Sequence, residues 1–323
     1  MSSFTFIGRI PRRLASLAKR YLLAVHNSLS SKIEQMEALS RVRMAEARGE
    51  LVPRATSVEV KPKDEAPAHP KDQVFSSRFI SLPDAAKFEA VLERGYRDER
   101  IIQVMIKLIR AHTMVGYEGV ATLIDQARYC EEEGIVGAFV EVGTCMGGCL
   151  AAMAHSNLVF GRARRQIHGF DSFEGIPKPR LDKDDIEWAV TEMKLKPEDC
   201  DGSLQPANSL IAAQSDVEAV FDNVRYPREY LKLHVGWFQD TVPPAAASIG
   251  PIAILRLDGD LYDSYMVALD HLWDLVVPGG FIVFDDWVLK GCRDAVTEFF
   301  AKRGIRQYLN IVDHSVRYIQ KTA

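Results

Sequence analysis

Four aspartates stand at the ends of two apolar runs. Asp258 and Asp260 follow Ile252 to Leu257, and Asp285 and Asp286 follow Phe281 to Phe284. Runs of this length and composition read as strands buried on both faces of a parallel sheet. Between them Met266, Leu269, Leu272 and Val276 recur at helical spacing, with Asp263 or Ser264 placed to cap the helix start. Pro278-Gly279-Gly280 ends the crossover, whose length suits parallel strands. Neighbouring parallel strands bring all four carboxylates to the carboxyl edge of the sheet, where open α/β folds bind ligands. So many acids in one place repel one another unless a cation sits among them. A hard divalent metal is the simplest cation for an all-oxygen site. A single Asp after a strand is as often a cap or a turn former. Two acidic pairs closing consecutive buried strands point instead to a metal or ligand site.

A second group of residues lies upstream. Ala138 to Val142 reads as a strand, followed by Gly143-Thr144-Cys145-Met146-Gly147-Gly148 and a helix start rich in small residues. Glycines at such a turn let backbone amides approach a ligand beside a helix N-terminus. The spacing is G-x-x-x-G-G, not the dinucleotide fingerprint. Ile167 to Phe170 forms another strand ending at Asp171, where an acidic side chain accepts hydrogen bonds from ribose hydroxyls. Ser172 to Gly175 follows. Leu231 to Val235 is a further strand, running into Gly236 to Thr241 at the same edge. Thr113-Met114-Val115-Gly116 is a break that either lies over a ligand or simply joins two helices. His234 and His271 are candidate bases, but each lies in an apolar pattern that suits a structural histidine better. His168 reads as structural, and Arg293, after Lys290, as a local cap or ion-pair partner.

The chain has 323 residues, close to half of them apolar, which is ample for the core of one α/β domain with extensions. A net charge of −4 argues against a general nucleic-acid binder. Cys130, Cys145, Cys149, Cys200 and Cys292 form no C-x-x-C pair and read as reduced thiols of a cytoplasmic protein. No apolar run approaches the ~20 residues of a membrane span.

Residues 1–48 are basic, and Ile10, Leu14, Leu17, Tyr21 and Leu22 suggest one apolar helix face. A solvated helical extension is the favoured reading, ahead of an organelle transit peptide or a membrane-surface or self-association helix. Residues 49–76, rich in Pro and charge, read as a flexible linker. Helices are expected around Phe88, Val91 and Leu92, over Ile101 to Leu108, from Gly119 to Glu133, from Asp216 to Val224 and from Cys292 to Lys302. Residues 176–215, punctuated by Pro177, Pro179, Pro197 and Pro206 around a short helix at Asp185 to Met193, suit a lid or substrate-recognition segment. Arg306 to Val312 and Val316 to Gln320 suggest a terminal antiparallel hairpin.

The pieces VEVGTCMGG, GFDSFEGIP, GWFQDTVP, LRLDGDLYDSY, PGGFIVFDDW and GCRDAV, with TMVG ahead of them, resemble the macrocin O-methyltransferase family in kind and in order over about residues 110–323. Cys145-Met146 and Tyr265 depart from the family, which usually carries bulkier or basic residues at the former and often Thr at the latter. The resemblance implies a Rossmann-like seven-stranded methyltransferase sheet over residues 77–323, mostly parallel with an antiparallel C-terminal hairpin. It implies S-adenosylmethionine as methyl donor and Mg2+ held by Asp258, Asp285 and Asp286, with Asp260 taking the proton of a small-molecule hydroxyl. It assigns Thr113, Met114, Glu141, Gly143, Thr144, Gly147, Asp171, Ser172, Gln239 and Asp240 to the cofactor, and it implies self-association. Two other readings compete. Asp258-Gly259-Asp260 fits the metal-binding D-x-D of glycosyltransferases, and a non-catalytic cofactor-binding module would need no metal and base.

Overall fold

The computed structural model describes residues 97–322. The basic extension, the linker and the helix expected around Phe88 lie outside the described residues. Two helices, α1 (Arg97–Ile109) and α2 (Tyr117–Glu132), precede the first strand. There follow β1 (Ala138–Val142), α3 (Gly148–Phe160), β2 (Ile167–Asp171), the short α4 (Ile186–Thr191), α5 (Gln214–Val224), β3 (Leu231–Val235) and α6 (Phe238–Ile249). The chain continues through β4 (Ile252–Leu257), α7 (Tyr262–Leu272), β5 (Val276–Phe284), α8 (Lys290–Arg303), β6 (Asn310–Ile311) and β7 (Arg317–Gln320).

The strands form one seven-stranded sheet in the order β3-β2-β1-β4-β5-β7-β6. β1 to β5 pair in parallel; β7 runs antiparallel to β5 and to β6. The expected architecture is therefore the one the chain adopts. From β1 the chain winds outward through β2 and β3, then returns to β4 on the other side of β1. This reversal opens a crevice at the carboxyl ends of β1 and β4. Alternate residues of the strands face two cores. One is shared with α1, α2, α3 and α5, and the other with α6, α7 and α8. Phe139 and Val140 illustrate the alternation.

Four local features differ from the sequence reading. Pro278-Gly279-Gly280 lies inside β5 rather than before it: Val276 pairs with Ile252 and Phe281 with Ile254, so the residues between bulge out. Gly279, at φ 85°, makes that excursion and donates its N–H to the Lys321 carbonyl. Neither Asp263 nor Ser264 caps α7, whose cap position is Leu261 with no side-chain bond. The strand end at Gly236 to Thr241 runs on into α6, a helix that the sequence reading does not include and that carries Pro243 and Pro244. The terminal hairpin is shorter than the run that suggested it.

The segment after β2 folds on itself around a small core of its own, Ile176, Ala189, Met193, Cys200 and Ala207, into which Leu261 inserts. Its two limbs are bridged at Pro177–Pro206 and Arg180–Asp201. All five cysteines are free. Among the described residues no helix is long and apolar enough to cross a membrane.

Candidate active site

Each of the two central strands carries a single charged residue, Glu141 in β1 and Arg256 in β4, and the register places them side by side. Both are buried, at 1% and 2% exposure. A charge between two covered faces is tolerated only when paired. Arg256 Nη1 donates to Glu141 Oε1 at 2.6 Å and to Asp258 Oδ2 at 2.7 Å. Its Nη2 lies 2.6 Å from Asp285 Oδ1 as an ion pair without hydrogen-bond alignment. Arg256 is thus a resident cation among the acids, and it was missed in the sequence because a lone Arg in IAILRL looks like an interruption of an apolar run. The signal that would have found it is its cross-strand neighbour, the equally lone Glu141.

One guanidinium does not neutralise this corner. Burial pushes the Glu141 carboxyl up to about 8 despite Arg256. Burial, with Asp258 beside it, pushes Asp285 up to about 7 against the pull of Arg256. Asp260 and Asp286 are raised well above the usual carboxylate range by burial first, then by neighbouring acids, chiefly Asp258 and Asp285 for Asp260 and Asp260 for Asp286. Asp258, Asp285 and Asp286 each offer one carboxylate oxygen, and the three atoms lie within 4.8 Å of one another. Oxygen donors, surplus negative charge and a buried Asp285 Oδ1 that accepts no hydrogen bond together fit a hard divalent cation. Asp260, in the loop after Asp258, has φ 60°, a left-handed conformation unusual for a residue other than glycine. Its N–H donates to Asp286 Oδ2 at 2.9 Å. Beneath, the Tyr265 hydroxyl accepts from the Asp286 N–H at 3.2 Å and lies 2.9 Å from both Asp286 Oδ2 and the Leu257 carbonyl.

The glycine turn is built differently. Gly143 has φ 97°, and a Cβ there would stand 1.7 Å from the Asp258 carbonyl oxygen. Only glycine lets the two strand ends meet. Asp171 braces the turn through backbone: Oδ2 accepts from Cys145 N at 2.7 Å and Oδ1 from Phe173 N at 2.8 Å. Cys145 itself is left-handed at φ 47°. Ser172 Oγ donates to the Gly175 carbonyl at 2.9 Å and accepts from Glu174 N at 3.0 Å.

Both corners open into one cavity of about 420 Å³. Its wall includes Thr113, Met114, Glu141, Gly143, Thr144, Asp171, Ser172, Gln239, Asp258, Asp260, Asp285 and Asp286. Gly147 and Asp240 are off the wall. Gly147 shapes the start of α3 against Val217, and Asp240 is exposed in the first turn of α6. Wall residues that sequence reasoning did not single out include Trp237, Leu210, Arg256, His314 and Ser315. The last two lie on the β6–β7 turn, where Ser315 Oγ donates to the Asp285 carbonyl at 2.5 Å.

The profile described as Macrocin-O-methyltransferase (TylF) matches residues 56–321. The chain belongs to the macrocin O-methyltransferase family. It is 33% identical over 218 residues to 8-demethyl-8-(2,3-dimethoxy-alpha-L-rhamnosyl)-tetracenomycin-C 4'-O-methyltransferase of Streptomyces olivaceus, covering 66% of this chain and 77% of that one. It is 29% identical over 213 residues to mycinamicin III 3''-O-methyltransferase of Micromonospora griseorubida, covering 66% and 80% respectively. Among solved structures it resembles the O-methyltransferase NovP, at 30% identity and a TM-score of 0.56, over 66% of this chain and 83% of that one. This macrocin-type chain is therefore an O-methyltransferase, and neither glycosyl transfer nor pure binding describes its class.

The remaining candidates fall away from the cavity of this family member. His168 Nδ1 and His234 Nε2 are 3.0 Å apart, their rings stacked between β2 and β3, and neither lines the wall. His271 is exposed, bonded to the Val267 carbonyl at 2.9 Å. Arg293 Nη1 donates to the Trp287 carbonyl at 2.8 Å and the Val288 carbonyl at 2.5 Å, fixing the loop after the second acidic pair.

Proposed function

We propose that the protein transfers a methyl group from S-adenosylmethionine to a hydroxyl of a small molecule, a sugar or another vicinal diol, with Mg2+ held by Asp258, Asp285 and Asp286. The observation that carries this reading is the convergence of three carboxylate oxygens within 4.8 Å of one another on the wall of the cavity shared with the glycine turn. The relatives support the acceptor class, since one bears the name of a 4'-O-methyltransferase of a rhamnosyl-tetracenomycin.

The donor side suits a nucleoside. Asp171 keeps lone pairs beyond its two backbone bonds and can accept from ribose hydroxyls. Glu141 Oε2 is buried without a hydrogen-bond partner, on a residue of the cavity wall, and fits a ligand N–H. When bound, S-adenosylmethionine supplies a methyl group on a positively charged sulfur, and Mg2+ supplies charge that orients adjacent hydroxyls and lowers their proton affinity. Asp260 is the proton acceptor for the attacking hydroxyl, a role worth typically ~10²–10⁴-fold. Burial, with Asp258 and Asp285 nearby, holds its carboxyl well above the usual range, and positive charge entering the corner would lower it and favour the carboxylate. Holding donor and acceptor in line contributes at most ~7–11 kcal/mol. Tyr265 is buried below Asp286, and its hydroxyl bonds Asp286 Oδ2 and so helps fix that carboxylate.

Calorimetry with S-adenosylhomocysteine, followed by methyl transfer to deoxysugar glycosides with Mg2+ or with EDTA, tests the proposal. Binding together with Mg2+-dependent transfer to glycosides bearing a free vicinal diol is expected. Transfer that survives EDTA overturns the metal assignment, and no binding of S-adenosylhomocysteine overturns the donor.

A further inference from the structure

The conformation of the loop that bears Asp258 and Asp260 is not explained by the sheet alone. Asp260 is left-handed, and the residue after it, Leu261, points away from the sheet into the small core of the 176–207 segment. α7 begins one residue later without a side-chain cap of its own. The missing cap comes from that segment. Asp184, only 6% exposed, accepts the Tyr262 N–H through Oδ1 at 2.7 Å and the Arg180 N–H through Oδ2 at 2.6 Å. A carboxylate at this place satisfies an orphan amide of the first turn and complements the positive end of the helix.

The same oxygen also touches the second acidic branch. A Cβ added to Gly291, in the first turn of α8, would stand 2.3 Å from Asp184 Oδ1 and 2.8 Å from Tyr262 N. α7 follows Asp258 and Asp260, and α8 follows Asp285 and Asp286, so one buried carboxylate is wedged between the starts of both helices. Arg180 adds an ion pair to Asp263 at 2.9 Å, and Lys290 Nζ donates to the Lys183 carbonyl at 2.9 Å. These are outer contacts around the same wedge.

We infer that Asp184 is a positioning residue: by capping α7 from the 176–207 segment it makes the seating of that segment and the geometry of the Asp258–Asp260 loop a single event. The loop's role as metal ligand and proton acceptor rests on the function proposed above, whereas the mechanical link does not.

The test uses the full chain and two variants, Asp184→Ala and Asp184→Asn. Asn keeps one acceptor for Tyr262 N–H but loses the second, so it is the milder change and the one to rely on should the Ala variant fold poorly. Hydrogen exchange in metal-free protein is expected to accelerate together over residues 176–207 and 258–262, more in Ala than in Asn, with the β1–β2 peptides unchanged. Mn2+ titration in the presence of S-adenosylhomocysteine is expected to weaken by ~10–100-fold in Ala, the range seen when an outer support of metal ligands is lost. S-adenosylhomocysteine affinity should stay within about threefold of the wild type, a split that general loosening of the fold would not give. Acceleration confined to residues 176–207, or wild-type Mn2+ affinity in both variants, overturns the inference. If the wild-type chain binds no Mn2+, the metal assignment fails, and the exchange experiment alone decides the role of Asp184.

Discussion

Two corners of one cavity are held by opposite means. At the ends of β1 and β2 Asp171 is tied to backbone N–H groups, and glycine supplies the close approaches. At the ends of β4 and β5 Asp258 and Asp285 are tied to a side chain, Arg256, while Asp286 holds the Asp260 N–H and the Tyr265 hydroxyl. The first corner is set by the path of the chain and needs no partner to be complete. The second is a charge balance that Arg256 leaves unfinished, and it takes protons or a cation to finish it. On the function proposed above, the first corner is where the cofactor binds and the second is where the metal binds.

The contrast breaks most severely at Arg256. Arg256→Met leaves Glu141, Asp258 and Asp285 without their shared counter-charge, and removing one member of a buried pair destabilises by about 3–5 kcal/mol. Urea denaturation measures this, and a loss under ~1 kcal/mol would show that the acids are neutral in the folded chain. Next comes Asp260→Asn, which keeps the fold and the binding of S-adenosylhomocysteine but lowers turnover by ~10²–10⁴-fold. Near-normal turnover there removes Asp260 from the reaction.

The third prediction concerns pH. Glu141 is raised from 4.5 to about 8 and Asp285 from 3.8 to about 7. In this window the folded chain keeps protons that the unfolded chain has released, so the stability these groups contribute is full below their ordinary values and is lost as pH rises toward about 7–8. The melting temperature of the metal-free protein should fall across that range and fall less in Glu141→Gln. Added Mg2+, which binds the deprotonated forms, should restore it and release protons. Identical profiles for the wild type and Glu141→Gln would contradict the assigned shift. The smallest effect is expected on the backbone-built side, where Ser172→Ala removes one hydroxyl bonded to Gly175 and Glu174. The loss there is about 1 kcal/mol by thermal melting, with Mn2+ affinity unmoved.

Much of the scaffold was legible in the sequence because buried parallel strands announce themselves as short apolar runs closed by Asp or Gly. The bounds of β1 and β4 follow from that signal alone. The start of β5 did not, because Pro278-Gly279-Gly280 looks like a turn while tertiary pairing to β4 and Lys321 draws it into the sheet. α6 was hidden by Pro243 and Pro244, whose local preference is overridden by packing of Val242 and Ala245 on the sheet. Within the site, the aspartates at strand ends were visible because their position is encoded locally. Arg256 and Asp184 were not, since what each does depends on partners from 115 and 78 residues away in the chain.

The contact between Gly143 and the Asp258 carbonyl has a bearing on redesign. Because the two loops are pressed backbone to backbone, neither can accept a bulkier side chain or a shifted register without displacing the other. Variation aimed at new acceptors therefore belongs at Leu210 and His314, on parts of the cavity wall outside that contact, and the strand tips are the part of the enzyme to leave alone.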